Sequence, residues 1–61
     1  MPIVNLKVAG KLTDEQKAEL VKRFTQDLVE VAQKPPEYCF VVIEEVPRTD
    51  WGLGGKLLSE R

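Results

Sequence analysis

The sequence predicts an α/β (α+β) fold: a single β-α-β unit with parallel strands and a short C-terminal hairpin, assembling into an oligomer. Three observations carry this expectation. Apolar and mixed residues alternate over positions 2–8. An apolar stripe at three- and four-residue spacing runs through positions 13–33. A second run, 37–46, is apolar on both faces and is followed by glycines at 52, 54 and 55. A strand, a long helix and a second strand in that order close as parallel strands with a right-handed crossover.

The first strand opens at Pro2, directly after Met1. Pro2, Val4, Leu6 and Val8 form one apolar face, and Ile3, Asn5 and Lys7 a mixed one. Proline is tolerated at the first position of a strand, where a missing N–H costs little. It also has a chemical use. Once Met1 is removed, the ring nitrogen of Pro2 is a free secondary amine, a compact base on a rigid ring. With Met1 attached, the same nitrogen is an amide with no basicity.

Ala9-Gly10-Lys11-Leu12 connects to the helix. Thr13 and Gln16 have the spacing of a capping box, with Asp14 and Glu15 in the first turn, where the helix dipole favours negative charge. Leu20, Val21, Phe24, Leu28, Val31 and Ala32 form the expected inward stripe, and the charged residues fall mostly off it. Lys34-Pro35-Pro36 ends the helix near Gln33, because a residue before proline avoids helical geometry. Residues 37–46 are the expected second strand. Tyr38, Phe40, Val42 and Glu44 share one face, and Cys39, Val41, Ile43 and Glu45 the other. A strand apolar on both faces is covered on both faces. In a chain this small, the second cover comes from another subunit. Pro47 to Asp50 is a turn, Trp51 to Gly55 a short hairpin, and Lys56 to Arg61 a polar tail.

Composition narrows the partners. The chain has 61 residues, so residues 1–61 are expected to be one domain. A chain of this length hides only ~60% of its unfolded surface and is marginal alone. It has one cysteine, Cys39, and no histidine, which excludes an intrachain disulfide and a structural zinc site. Oligomerisation is the remedy that remains. A net charge of −1 offers no basic surface for nucleic acid or an anionic membrane. No apolar run approaches the ~20 residues of a membrane span. The N-terminus lacks a signal-peptide core, so a cytoplasmic location is expected. Cys39 reads as a small buried hydrophobe, since no histidine is present to activate it. Glu44 and Glu45 point to opposite faces and read as structural or rim residues. The Gly52–Gly55 segment lacks the Lys-Ser/Thr and helix of a phosphate loop.

Pro2 opening a strand, Thr13-Asp14-Glu15-Gln16-Lys17 opening a helix, Val42-Ile43-Glu44-Glu45-Val46 closing the second strand, and Trp51 before Gly52-Leu53-Gly54-Gly55 together resemble the 4-oxalocrotonate tautomerase family. The likeness spans essentially the whole chain. It implies β-α-β subunits that pair as dimers, with three dimers forming a homohexamer. It further implies a cofactor-free isomerase whose N-terminal proline, here Pro2, is the general base, with Trp51 as the aromatic lining of the site. Family members acting on 4-oxalocrotonate use two arginines, and the matching positions here are Leu12 and Phe40. Neither can bind a carboxylate. The cations on hand are Arg48, whose guanidinium suits a carboxylate, Lys11 beside the lost position, and Lys7 on the face of the strand opposite Pro2. The expected activity is therefore keto–enol tautomerisation of a small enol or 2-keto acid carrying a single carboxylate. The alternatives are a hydratase or dehalogenase of an unsaturated acid, with protonated Pro2 as general acid, or a non-catalytic oligomeric scaffold.

Overall fold

The computed structural model describes residues 1–60 of the chain. Strand β1 (Ile3–Ala9) leads into helix α1 (Asp14–Ala32). A 3-10 turn (Pro36–Tyr38) precedes strand β2 (Phe40–Val46), and a second (Arg48–Asp50) precedes the short strands β3 (Gly52–Leu53) and β4 (Lys56–Leu57). A third 3-10 turn (Leu58–Glu60) follows. β1 and β2 pair in parallel, from Ile3 opposite Phe40 to Ala9 opposite Val46. β3 and β4 form a separate antiparallel hairpin. Its turn uses Gly54 and Gly55 at φ 63° and 85°, the positive values that a tight two-residue turn requires.

The local causes are visible in each element. In β1, Val4, Leu6 and Val8 are half-buried while Ile3, Asn5 and Lys7 are exposed, as the period of two demands. The capping box of α1 forms in both directions. The Gln16 amide N–H donates to Thr13 Oγ1 at 3.1 Å, and the Thr13 N–H donates to Gln16 Oε1 at 2.9 Å. Gln33 closes the helix in the left-handed region, at φ 55° and ψ 43°, a conformation that usually falls to glycine.

Three expectations are corrected. The inward face of α1 is built from Lys17, Leu20, Phe24, Thr25, Leu28 and Val29, whereas Val21, Val31 and Ala32 are exposed. A helix of 19 residues is roughly 28 Å long, while the seven residues of β1 cover only roughly 23 Å, so the last turn of the helix overruns its sheet. β2 begins at Phe40 rather than at 37, because the Tyr38 and Cys39 amides donate to the Pro35 and Pro36 carbonyls at 3.1 and 3.2 Å and close a turn there. The region after Gly55 is more than a polar tail: Lys56 and Leu57 pair as β4 and Leu58 is half-buried. Arg61 lies outside the described residues.

The core is one-sided. α1 covers the Val4, Leu6, Val41 and Ile43 face of the sheet. On the opposite face Ile3, Phe40 and Val42 are 64, 47 and 43% exposed. No hydrophobic side chain among the described residues is fully buried. The radius of gyration is 14.5 Å, against roughly 10.5 Å for a compact chain of this length. The C-terminal arm, residues 48–60, packs chiefly on itself. These features mark a subunit that completes its core with other copies.

One polar tie crosses the covered face. Glu45, opposite Val8 in the register, accepts the Leu12 N–H at 2.8 Å and the Lys17 ammonium at 3.2 Å. The Leu12 amide and then Lys17 hold its carboxyl below the ordinary value of 4.5.

Two outcomes follow. Light scattering should give the wild type as a multiple of its 6.9 kDa chain mass, with a thermal midpoint that rises with protein concentration. Val42→Asp, which puts a charge on the open face, should shift the mass to single chains with loss of ellipticity. The second outcome concerns acid. A carboxyl lowered by folding contributes stability above its unfolded pKa and loses it as pH falls through the folded one. Urea titrations should therefore find Glu45→Gln less stable than wild type at pH 7, with the gap closing below pH 4.5.

Candidate active site

The residues singled out in the sequence fall at opposite ends of the β1–β2 sheet. Pro2 and Phe40 are at one end. The Pro2 carbonyl accepts the Phe40 amide at 3.0 Å, so the sheet's hydrogen bonding extends to Pro2 and fixes its backbone. Pro2 is half-buried, and Met1 beyond it is 83% exposed. By alternation Pro2 lies on the helix-covered side, with Val4, while Ile3 and Phe40 belong to the open side. Within one chain, then, Ile3 and Phe40 do not wall the Pro2 ring.

Lys11, Leu12, Arg48 and Trp51 follow the other end of the strands. Here Gly10 continues the sheet, its amide donating to Val46 O at 3.1 Å, and at φ 100° turns the chain away. Leu12 precedes the cap residue of α1. It lines a shallow groove of about 270 Å³ together with Gln16, Glu19, Leu20 and Arg23. Arg23 pairs with Glu19 at 2.7 Å. Lys11 is exposed. The Arg48 guanidinium donates to the Leu58 carbonyl at 3.2 Å, and the Leu58 amide donates to the Trp51 carbonyl at 2.8 Å. These bonds fold the C-terminal arm into one unit around the half-buried Trp51. Arg48 keeps donors beyond the one it spends, since a guanidinium has five.

The two groups of residues are thus separated by the length of β1, roughly 23 Å at ~3.3 Å per residue. One chain does not bring Pro2 together with Leu12, Arg48 and Trp51. A site that uses both ends draws them from different subunits.

The remaining candidates have structural partners. Cys39 is half-buried and its Sγ–H donates to the Pro35 carbonyl at 3.3 Å. Glu44 accepts the Asn5 side-chain amide at 2.9 Å on the open face, and Lys7 is its neighbour in the register. Glu45 is engaged through both oxygens, and the Leu12 amide and the Lys17 ammonium that engage them hold its carboxyl below the ordinary value. The Glu45 tie and the Leu12 groove were not legible as units in the sequence. Their one signal is an acidic residue that alternation puts on the same face of β2 as Val41 and Ile43. Among the described residues no group of three or more His, Cys, Asp or Glu side chains is placed to hold a metal, and no helix is long and apolar enough to cross a membrane.

Known proteins resemble the chain along its whole length. The family model for tautomerase enzymes matches residues 2–61. A protein of Halalkalibacterium halodurans named as a probable tautomerase is 41% identical over 61 residues, covering 100% of both chains. The 2-hydroxymuconate tautomerase of Pseudomonas sp. strain CF600 is 33% identical over 60 residues, covering 98% of this chain and 95% of that one. A solved structure of a heterohexameric 4-oxalocrotonate tautomerase from Chloroflexus aurantiacus superposes with a TM-score of 0.88 at 28% identity, covering 98% of this chain and 97% of that one. The fold is therefore shared along nearly the whole length of both chains, and the chain belongs to the tautomerase family.

Proposed function

We propose that this chain, acting as one tautomerase domain within a homohexamer, interconverts the enol and keto forms of a small 2-keto acid, with Pro2 as the general base. The observation that carries the reading is the placement of Pro2. Its backbone is held by the Phe40 amide, while Met1 projects into solvent. Removal of Met1 would leave a secondary amine at a fixed point on a rigid element, with no backbone freedom to lose on engaging substrate.

The amine accepts the proton of the enol hydroxyl and returns a proton to the substrate carbon. The step is redox-neutral, and one group serves as acceptor and donor. A base works best with a pKa near the working pH. Apolar cover and nearby cations both disfavour the ammonium form and move an amine in that direction. Trp51, Phe40, Arg48 and Lys11, contributed by neighbouring subunits, are the groups proposed to supply them.

The positions that carry arginines in the resembled enzymes are Leu12 and Phe40 here. Two apolar side chains there favour a substrate with one carboxylate and an apolar far end over a dicarboxylate such as 2-hydroxymuconate. Arg48 is the proposed carboxylate partner, through donors not spent on Leu58. The hydratase reading needs a carboxylate free to activate water, and the engagement of Glu44 with Asn5 and of Glu45 with Leu12 and Lys17 counts against it.

The test is the enol-to-keto conversion of phenylenolpyruvate and of 2-hydroxymuconate, followed by ultraviolet absorbance after intact mass has confirmed the loss of Met1. Pro2→Ala should lower kcat/KM by about 10²–10⁴-fold, the usual worth of a positioned general base. Wild type should prefer the monocarboxylate. Unchanged turnover in Pro2→Ala would remove the mechanism.

A further inference from the structure

By alternation Glu45 shares a face of β2 with Val41 and Ile43, but it lies at the exposed rim of that face, its side chain 28% accessible. Both of its carboxylate oxygens are nevertheless engaged. Oε2 accepts the Leu12 N–H at 2.8 Å, and Oε1 accepts from the Lys17 ammonium at 3.2 Å. Leu12 stands just before the cap, where its amide has no helical partner. One side chain of β2 therefore fastens the Lys11–Leu12 corner and the first turn of α1 to the strand. The same strand runs on through Pro47 to Arg48 and Trp51. The two corners at this end of the sheet are thus held relative to each other by the Glu45 side chain in addition to the Gly10–Val46 backbone bond.

We propose that Glu45 is a positioning residue for substrate binding, setting the Lys11–Leu12 corner against the Arg48–Trp51 corner without itself touching substrate. The proposal rests on the reading of these corners as part of the tautomerase site. Leu12 in that site contacts a part of the substrate remote from the proton transfer. Displacing it loosens binding of ground state and transition state alike, which raises KM and leaves kcat in place. A purely structural role for Glu45 would instead lower the amount of folded enzyme and so the apparent kcat, at constant KM.

The experiment compares Glu45→Ala, Glu45→Gln and Leu12→Ala with wild type on phenylenolpyruvate, each checked for oligomeric mass. Glu45→Ala should raise KM by about tenfold, because a shift on the order of 1 Å in a binding group is felt strongly. Its kcat and the acid limb of its pH profile, which reports Pro2, should hold. Glu45→Gln keeps an oxygen for the Leu12 amide and should restore KM to within about threefold of wild type. Amide hydrogen exchange, which needs no turnover, should be faster at Leu12 in Glu45→Ala and near wild type in Glu45→Gln. A raised KM in Leu12→Ala with an unchanged KM in Glu45→Ala overturns this proposal alone. An unchanged KM in both removes Leu12 from the site and the proposal with it. If Glu45→Ala does not assemble, Glu45→Gln decides. A tenfold rise in its KM would mean that charge rather than placement matters and would also overturn the proposal, whereas a near-normal KM with slow Leu12 exchange supports it.

Discussion

The rest of this molecule depends on a shortage of cover. One helix can shield one face of a two-stranded sheet, and α1 does so over Val4, Leu6, Val41 and Ile43. Among the described residues nothing is left to shield Ile3, Phe40 and Val42, since the C-terminal arm is folded on itself through Arg48, Trp51 and Leu58. Burial of apolar area is the main term that offsets the entropy of an ordered chain. With no hydrophobic side chain fully buried among the described residues, that term has to be completed by further subunits. Assembly and folding then become one equilibrium.

The same shortage bears on chemistry. A long parallel crossover sends the chain from one end of the sheet to the other, so each candidate residue is fixed to an end by its place in the topology. Pro2 and Phe40 go to one end, and Lys11, Leu12, Arg48 and Trp51 to the other. A larger domain gathers such groups on loops above a single sheet. On the proposed reading the gathering is left to symmetry, which would bring unlike ends of different copies together.

Much of this was legible in the sequence, and for physical reasons. The alternation from Pro2 to Val8 and the Thr13–Gln16 cap are local patterns, and local patterns survive without tertiary knowledge. The two-sided apolarity of β2 announced the open face because an exposed Phe40 or Val42 has no other explanation. What stayed hidden depended on lengths and partners. The inward residues at the end of α1 follow from where the sheet stops, so Val29 faced in and Val31 did not. The start of β2 was displaced to Phe40 by backbone bonds to the Pro35 and Pro36 carbonyls. Glu45 could be placed on the inward face by counting, but its partners Leu12 and Lys17 come from two other elements, and no spacing rule joins all three.

The separation of the two ends of β1 has a genetic consequence. If Pro2 acts in one site while the Leu12 and Trp51 corners of the same chain serve another, the two halves of the machinery segregate between subunits. Two differently crippled versions of this protein, one lacking the amine and one with a damaged corner, would each be impaired as pure assemblies. Refolded together they would form mixed rings in which some sites receive an intact half from each parent. Loss-of-function alleles of such a protein would then complement one another, and a defective copy produced beside a sound one would poison only a share of the sites that it enters.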